Sequence, residues 1–299
     1  MTTICFKKEA LQLRRVVANS IIVTCLTLSV MGCYVSEQAI EANIEQLKVA
    51  EAKLLQNPND KETLSFVLNQ LSDRRGIYRV NAAATLEHIG KPVGASIASQ
   101  AVPALSSLLD TGEDYDKRAA AGALRSFGPF AKPALPALRK SLTPVSRDVA
   151  GFSAEAIGNI GAGAAEAVPD LLEAIKANAS GCEGYFASFC ESFIPALGKI
   201  GPQALKAVPD LESLLNLSDP YTRLRLAVAL IRIDPGNRKA LDELEKLLKD
   251  SDAQIRRRSL VALAECGKEA KPAKPLIETA VNDPDDEVRR KAFELVKVL

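Results

Sequence analysis

Leu197-Gly-Lys-Ile-Gly201 is one copy of a five-residue phrase that recurs along the chain. The other copies are Leu86-Glu-His-Ile-Gly90, Leu124-Arg-Ser-Phe-Gly128, Ile157-Gly-Asn-Ile-Gly161, Leu230-Ile-Arg-Ile-Asp234 and Leu263-Ala-Glu-Cys-Gly267. Their last residues are 38, 33, 40, 33 and 33 positions apart, and Val296 and Leu299 fill the same two apolar places at the chain end. Self-similarity at such a period is the mark of stacked supersecondary units, so the repeat decides the fold.

A second row lies 25 residues earlier: Ser65, Pro103, Pro136, Pro209, Asp242 and Pro275, with Pro169 shifted to 32 before Gly201 by a seven-residue insertion. Around it stand Ala101-Val-Pro-Ala-Leu105, Ala167-Val-Pro-Asp-Leu171 and Ala207-Val-Pro-Asp-Leu211. Proline lacks an N–H and fits a first helical turn, so this row predicts the start of each unit's first helix. Ser146, Asp219, Asp252 and Asp285, fifteen before the glycine position, predict N-caps of a second helix. The glycine row, Gly90 included, predicts left-handed C-terminal caps, reinforced by Pro129 and Pro202.

Each unit is then a helical hairpin that cannot bury its apolar stripe alone, and the hairpins stack. Seven are expected, over 57–90, 91–128, 129–161, 162–201, 202–234, 235–267 and 268–299. The fold class expected is all-α, a right-handed α-α superhelix on the order of 60–70 Å long at a helix spacing of ~9–10 Å.

The Ala-Val-Pro-x-Leu segments, Asp285-Asp-Glu-Val-Arg289-Arg-x-Ala292 and Arg118-x-Ala-x-x-Ala-Leu124-x-x-x-Gly128 resemble the HEAT-like repeat in the short form of phycobilisome lyases. The basic residue opening the second helix recurs as Arg79, Lys117, Arg223, Arg256 and Arg289, and is missing at Ala150 and Cys190. The resemblance covers nearly everything after Pro58. It implies the fold; for function it implies little, because such repeats serve many unrelated roles.

Positions 1, 4, 5, 8 and 12 before the glycine are mostly apolar or small and are the expected core of the second helix. Positions 2, 6, 9 and 13 form another face by their spacing of 4, 3 and 4. In HEAT-like solenoids the second helices line the concave side, which makes this face the expected binding surface. It carries Tyr115, Phe152 and Tyr221, with Arg225, Arg232 and Arg258 clustered in the fifth and sixth layers. These six are the candidate contacts for a protein or peptide segment of acidic character, aromatic and Arg side chains being common interface anchors. The alternative is a solvated helix face with aromatics folded on their neighbours.

The chain opens with Lys7, Lys8, Arg14 and Arg15 before an uncharged run, Val16 to Val30. That layout is a secretory signal, and the run is short for a membrane span of ~20 residues. Val30-Met-Gly-Cys33 resembles a bacterial lipoprotein cleavage site, with Met31 larger than usual. The resemblance implies a signal peptide over 1–32, lipid on Cys33 and a location in the cell envelope, at the outer membrane where there are two; an ordinary signal or an uncleaved anchor is the alternative. Ile40, Ile44, Leu47, Leu54 and Leu55 predict an amphipathic helix, N-capped by Ser36, that covers the open end of the stack within a segment 33–56.

Residues 1–32 hold four basic residues and one acid, leaving 34 basic and 36 acidic, a balance that gives no case for a nucleic-acid partner. Cys182 and Cys190 lie in the insertion, where a disulfide is a candidate in an exported chain; two buried thiols are the alternative. Cys266 falls in a core row, and His88, the single histidine, on a solvated helix face. No metal site, phosphate loop or nucleophile constellation is visible, so neither a cofactor nor catalytic residues are expected. The reading is an envelope-tethered interaction scaffold. The alternative suggested by the repeat resemblance is a bilin lyase-like or chaperone-like enzyme.

Overall fold

The computed structural model describes residues 35–142, 146–179, 186–217 and 219–299, with the side chains of 178–179, 186–191 and 217 outside that description. Among the described residues the chain is 88% helical, without strands. Cys33 and the leading apolar run lie outside the described residues, as do Cys182 and the side chain of Cys190.

Helix α1 (Glu37–Gln56) starts on Ser36, whose hydroxyl accepts from the Ala39 N–H. It buries Leu47, Ala50 and Leu54 against α2 (Lys61–Gln70) and α3 (Gly76–Thr111). The Tyr78 hydroxyl, donating to the Ala39 carbonyl at 3.0 Å, ties α1 to α3. The stack continues through α4 (Asp114–Ser126), α5 (Leu135–Lys140) and α6 (Arg147–Ile160). Then come α7 (Val168–Ala179), α8 (Phe186–Ile200), α9 (Val208–Leu214) and α10 (Pro220–Ile233). The last two layers are α11 (Arg238–Leu248) with α12 (Ala253–Cys266), and α13 (Lys274–Thr279) with α14 (Asp286–Val298).

The expected core rows are buried. In the third layer Ile160, Ile157, Ala156, Ser153 and Val149 are enclosed, and in the fifth Ile233, Leu230, Ala229, Leu226 and Thr222. Small residues at these places set the helices close together, and one continuous core runs from Leu47 to Leu295.

Three expectations need correction. Gly90 does not end a helix: α3 passes unbroken through Gly90, Pro92 and Pro103, joining the first layer's second helix to the second layer's first. Gly90 is there for space, because a Cβ on it would lie 2.0 Å from Ser126 Oγ and 3.0 Å from the Phe127 ring. Second, the Ser146 side chain makes no cap bond, whereas Asp219, Asp252 and Asp285 accept backbone N–H bonds of the following turn. Third, the terminating glycines are not left-handed helical. Gly161 has φ 72° and ψ −141°, and Gly267 φ 58° and ψ −128°, a region that a Cβ makes costly.

Beyond these glycines the chain enters 3-10 segments, Gly161–Ala167 and Gly267–Ala273, with Gly128–Ala134 and Gly201–Ala207 alike, before the first helix proper begins. Asp234, which replaces glycine, has φ −138° and accepts the Gly236 N–H on its side chain; this turn needs no positive φ.

The basic residue opening the second helix ties down the turn before it. Arg79, Arg256 and Arg289 each donate to the carbonyl six residues back, Asp73, Asp250 and Asp283. Arg79 also pairs with buried Asp116 at 2.7 Å, and Arg256 with Asp283 at 2.7 Å.

Candidate functional site

Successive second helices pack directly on one another, α4 on α6, α6 on α8 and α8 on α10, while successive first helices meet sparsely and chiefly through their 3-10 segments. Layers held closer on one side bend toward it, so the second helices lie on the inside of the curve. Two glycines make the close approach. A Cβ on Gly158 would lie 2.8 Å from Ala196 Cα, and one on Gly198 2.9 Å from Ala229 Cα. The same glycines make room for long side chains of the following layer: Lys199 Cδ lies 3.3 Å from the Gly158 Cβ position and Arg232 Cδ 3.5 Å from that of Gly198.

On this inner face the charges of the first to third layers are paired. Arg125 donates to Glu87 at 2.6 Å and to Glu155 at 2.8 Å, spanning three layers. Ser192 donates to the other Glu155 oxygen at 3.1 Å. Phe152, half-buried, has the Arg125 guanidinium 4.9 Å and that of Arg118 5.8 Å from its ring centre. It lines a cleft of about 130 Å³ with Arg147, Asp148, Gly151, Glu155, Ser192 and Phe193. Tyr115 is half exposed at the start of α4. Asn159 donates to the Arg125 carbonyl and accepts from Lys199 Nζ at 2.9 Å.

The fourth to sixth layers carry surplus positive charge. Among the described residues Lys199, Arg232 and Arg258 form no ion pair with a carboxylate. Each is nonetheless held in place. Lys199 rests on Asn159, Arg232 donates to the Glu265 carbonyl at 3.0 Å, and Arg258 sits 5.0 Å from the Tyr221 ring centre. Burial pushes the Lys199 ammonium below its ordinary value; Glu155 opposes the shift, and Arg232 and Arg125 add to it by like-charge repulsion. Arg225 joins this group nine before Asp234 and has contacts of its own. Tyr221 and Val261 are 38% and 39% exposed beside these cations, so apolar surface is open to solvent there.

Of the six candidate contacts, Tyr221, Arg225, Arg232 and Arg258 therefore gather on α10 and α12, and Phe152 and Tyr115 stand apart at the other end of the face. The sequence reading missed Arg125, three before Gly128, whose reach across three layers has no counterpart in the repeat phrase. It also missed Lys199 as a member of the cationic group, although Lys199 occupies the same place in its phrase as Arg232. Elsewhere, burial pushes the Cys266 thiol up, consistent with an inert core position. His88 is exposed with Nδ1 3.5 Å from Glu51. Among the described residues no His, Cys, Asp and Glu cluster is placed to hold a metal, and no helix is long and apolar enough to cross a membrane.

The HEAT-repeat family profile matches residues 192–264 and 208–297. No curated protein matches the chain in sequence. Among solved structures an engineered protein is similar at TM-score 0.56 and 21% identity, covering 89% of this chain and 75% of that one. The complex of CpcE and CpcF of phycocyanin lyase from Nostoc sp. PCC7120 is similar at TM-score 0.53 and 21% identity, over 78% of this chain and 93% of that one. A homology model of the AP-3 complex gives TM-score 0.55 at 17% identity, over 94% of this chain and 55% of that one. These likenesses are of fold: a stack of HEAT-type helical repeats.

Proposed function

We propose that the protein is an interaction scaffold of the cell envelope, tethered through lipid on Cys33, that takes an acidic protein segment on the inner face of its fourth to sixth layers. The observation that carries the reading is the set Lys199, Arg232 and Arg258, cations positioned by Asn159, Glu265 and Tyr221 that, among the described residues, form no ion pair with a carboxylate. Several arginines elsewhere are matched: Arg75 with Asp73, Arg125 with two glutamates, Arg139 with Asp170, Arg257 with Glu287. Like charges held side by side cost free energy that an anionic partner removes, and the exposed Tyr221 and Val261 add apolar area to the same patch. HEAT-repeat stacks are suited to this use, since their inner face is long and regular. The envelope tether rests on the opening sequence alone: the basic residues, the apolar run and Cys33.

The test is capture from envelope extracts with the full chain and with Arg232→Glu/Arg258→Glu. Arg238→Glu, exposed on first helix α11, is the control. Capture lost in the double variant and kept in the control supports the reading; capture unchanged in both defeats it. Palmitate label that persists in Cys33→Ser would remove the tether. A bilin bound or transferred by the chain would favour a lyase-like activity in place of scaffolding.

A further inference from the structure

Gly151 stands inside α6, where glycine is a poor choice: only proline forms helix less readily. Other glycines inside second helices are accounted for by crowding. A Cβ on Gly122 would lie 3.2 Å from Glu87 Oε2, one on Gly158 2.8 Å from Ala196 Cα and one on Gly198 2.9 Å from Ala229 Cα. A Cβ on Gly151 would meet only the Ser192 side chain, Oγ at 3.5 Å and Cβ at 4.0 Å, which is ordinary contact. Crowding among the described residues therefore does not explain this glycine. What its missing side chain leaves is space: Gly151 lines the cleft of about 130 Å³ between α6 and α8, with Phe152 and Phe193 beside it and Asp148, Glu155 and Ser192 around them.

Size and charge select the occupant. A cavity of ~150 Å³ takes up one benzene molecule, so the cleft has room for a single ring. A cationic side chain is disfavoured there. The Arg125 and Arg118 guanidiniums already lie 4.9 and 5.8 Å from the Phe152 ring centre. Both Glu155 oxygens are taken, one by Arg125 and one by Ser192, and Asp148 lies 3.6 Å from Arg118. A neutral aromatic ring suits such a mixed wall, because its negative face attracts guanidinium groups and its positive edge attracts carboxylates. The cleft also adjoins the cationic group: Ser192 and Lys199 share α8, seven residues or ~10.5 Å apart along its axis. We infer, on the basis of the reading above, that the cleft is a specificity pocket for one aromatic side chain, Phe or Tyr, of the same segment whose acidic part lies over Lys199 and Arg232. Gly151 keeps the pocket open. A preformed pocket that takes one ring beside a charged patch is how few residues come to dominate binding.

Two experiments on the full chain test the pocket. The first titrates p-cresol, the side chain of tyrosine, and n-butylammonium, the side chain of lysine, and follows backbone amide NMR signals. p-Cresol is expected to bind saturably at millimolar concentration and to shift the signals of residues 148–152 and 192–193, and butylammonium to shift none of them. Gly151→Leu, whose side chain occupies the cleft, is expected to abolish these shifts. Gly151→Ala, which unfolds at the same temperature or higher, is expected to weaken p-cresol binding severalfold. The second experiment compares labelled peptides with a block of Glu beside either Phe or Ala. The Phe peptide is expected to bind about tenfold more tightly. That advantage is expected to vanish in Gly151→Leu, while the binding that remains still depends on Arg232 and Arg258. p-Cresol shifts that are absent, or equal in the native chain and Gly151→Leu, overturn the pocket. So do tighter binding of butylammonium, no advantage of Phe over Ala, and a nuclear Overhauser contact in the free chain between Gly151 and the ring of Tyr185, Phe186 or Phe189, since the insertion then fills the cleft itself. The acidic-segment reading survives each of these outcomes if Arg232→Glu/Arg258→Glu still loses capture from envelope extracts. Unchanged capture in that variant defeats the broader reading, whatever p-cresol does.

Discussion

Gly158 lets α6 and α8 meet at backbone distance: a Cβ there would lie 2.8 Å from Ala196 Cα and 3.1 Å from Ala196 Cβ. Both opposing atoms belong to or adjoin backbone, so relief requires the two helices to separate. Gly158→Ala is therefore expected to destabilise by about 1–3 kcal/mol, as overpacking does, despite the gain in helix propensity. Gly151→Ala, seven residues earlier on the same helix, meets only the Ser192 side chain, Oγ at 3.5 Å and Cβ at 4.0 Å, and is expected to be neutral or to stabilise by up to ~1 kcal/mol. Paired chemical unfolding of the two variants checks this; equal effects would show that close helix approach is not what the glycine provides.

Gly267 and Gly90 hold the same place in the repeat for different reasons. Nothing lies within 4 Å of a Cβ on Gly267, whose φ is +58°, so the cost of Gly267→Ala is backbone strain alone, about 1–3 kcal/mol. Gly90 sits in helical backbone, and its substitution meets the Ser126 hydroxyl and the Phe127 ring. Ser126→Ala is expected to recover part of the loss in Gly90→Ala and none of the loss in Gly267→Ala. Thermal unfolding of the three single and two double variants measures it.

That pair also shows where the sequence was informative. Periodicity alone exposed the layers, the core rows and the turn of the face, because all three follow from a fixed spacing of apolar residues. What a glycine does at its position did not follow, since positive φ and lack of space leave the same letter. Nor did the 3-10 segments, which depend on ψ at Gly161 and Gly267. The inner face was visible as a helix face, and Arg225, Arg232 and Arg258 as charges on it. Which charges are cancelled depends on distances between layers. Arg125 reaches Glu87 and Glu155 from 38 and 30 residues away, whereas Arg232 donates to the Glu265 carbonyl and, among the described residues, pairs with no carboxylate.

Arg256 and Asp283 form a two-bonded pair, Nε and Nη2 to the two carboxylate oxygens at 2.7 and 2.8 Å, with side chains 10% and 6% exposed. The pair joins the sixth and seventh layers, and Arg256 also bonds the Asp250 and Ser251 carbonyls. Removing one partner leaves a buried charge, so Asp283→Ala is expected to cost about 3 kcal/mol or more and to loosen the last layer first. Hydrogen exchange should show protection lost in α13 and α14 before α6. Uniform loss along the stack would contradict a local role.

Asp73 gives the fold a defined acid sensitivity. Its carboxylate accepts from Arg75 Nε and Nη2 at 2.8 and 2.7 Å and from the Arg75 N–H at 2.8 Å, and these bonds hold its pKa down to about 2 against burial, which pushes it up. A carboxyl whose pKa is lower folded than unfolded contributes stability above its unfolded value, near 4, and loses it as pH falls toward 2. Asp283 shifts in the same direction through Arg256, and Asp219 is likewise lowered against burial by its bonds to Thr222 and Tyr221. Stability is therefore expected to be level from neutral pH down to about 5 and then to fall steeply between about 4 and 2, Asp73 accounting for on the order of 2 kcal/mol of that fall. Asp73→Asn is expected to lower stability at pH 7 and to flatten the decline below pH 4, because the neutral amide has no proton to take up. Urea midpoints at pH 7, 4 and 2.5 for the two proteins decide it; parallel curves would mean that the Arg75 pairing does not persist in solution.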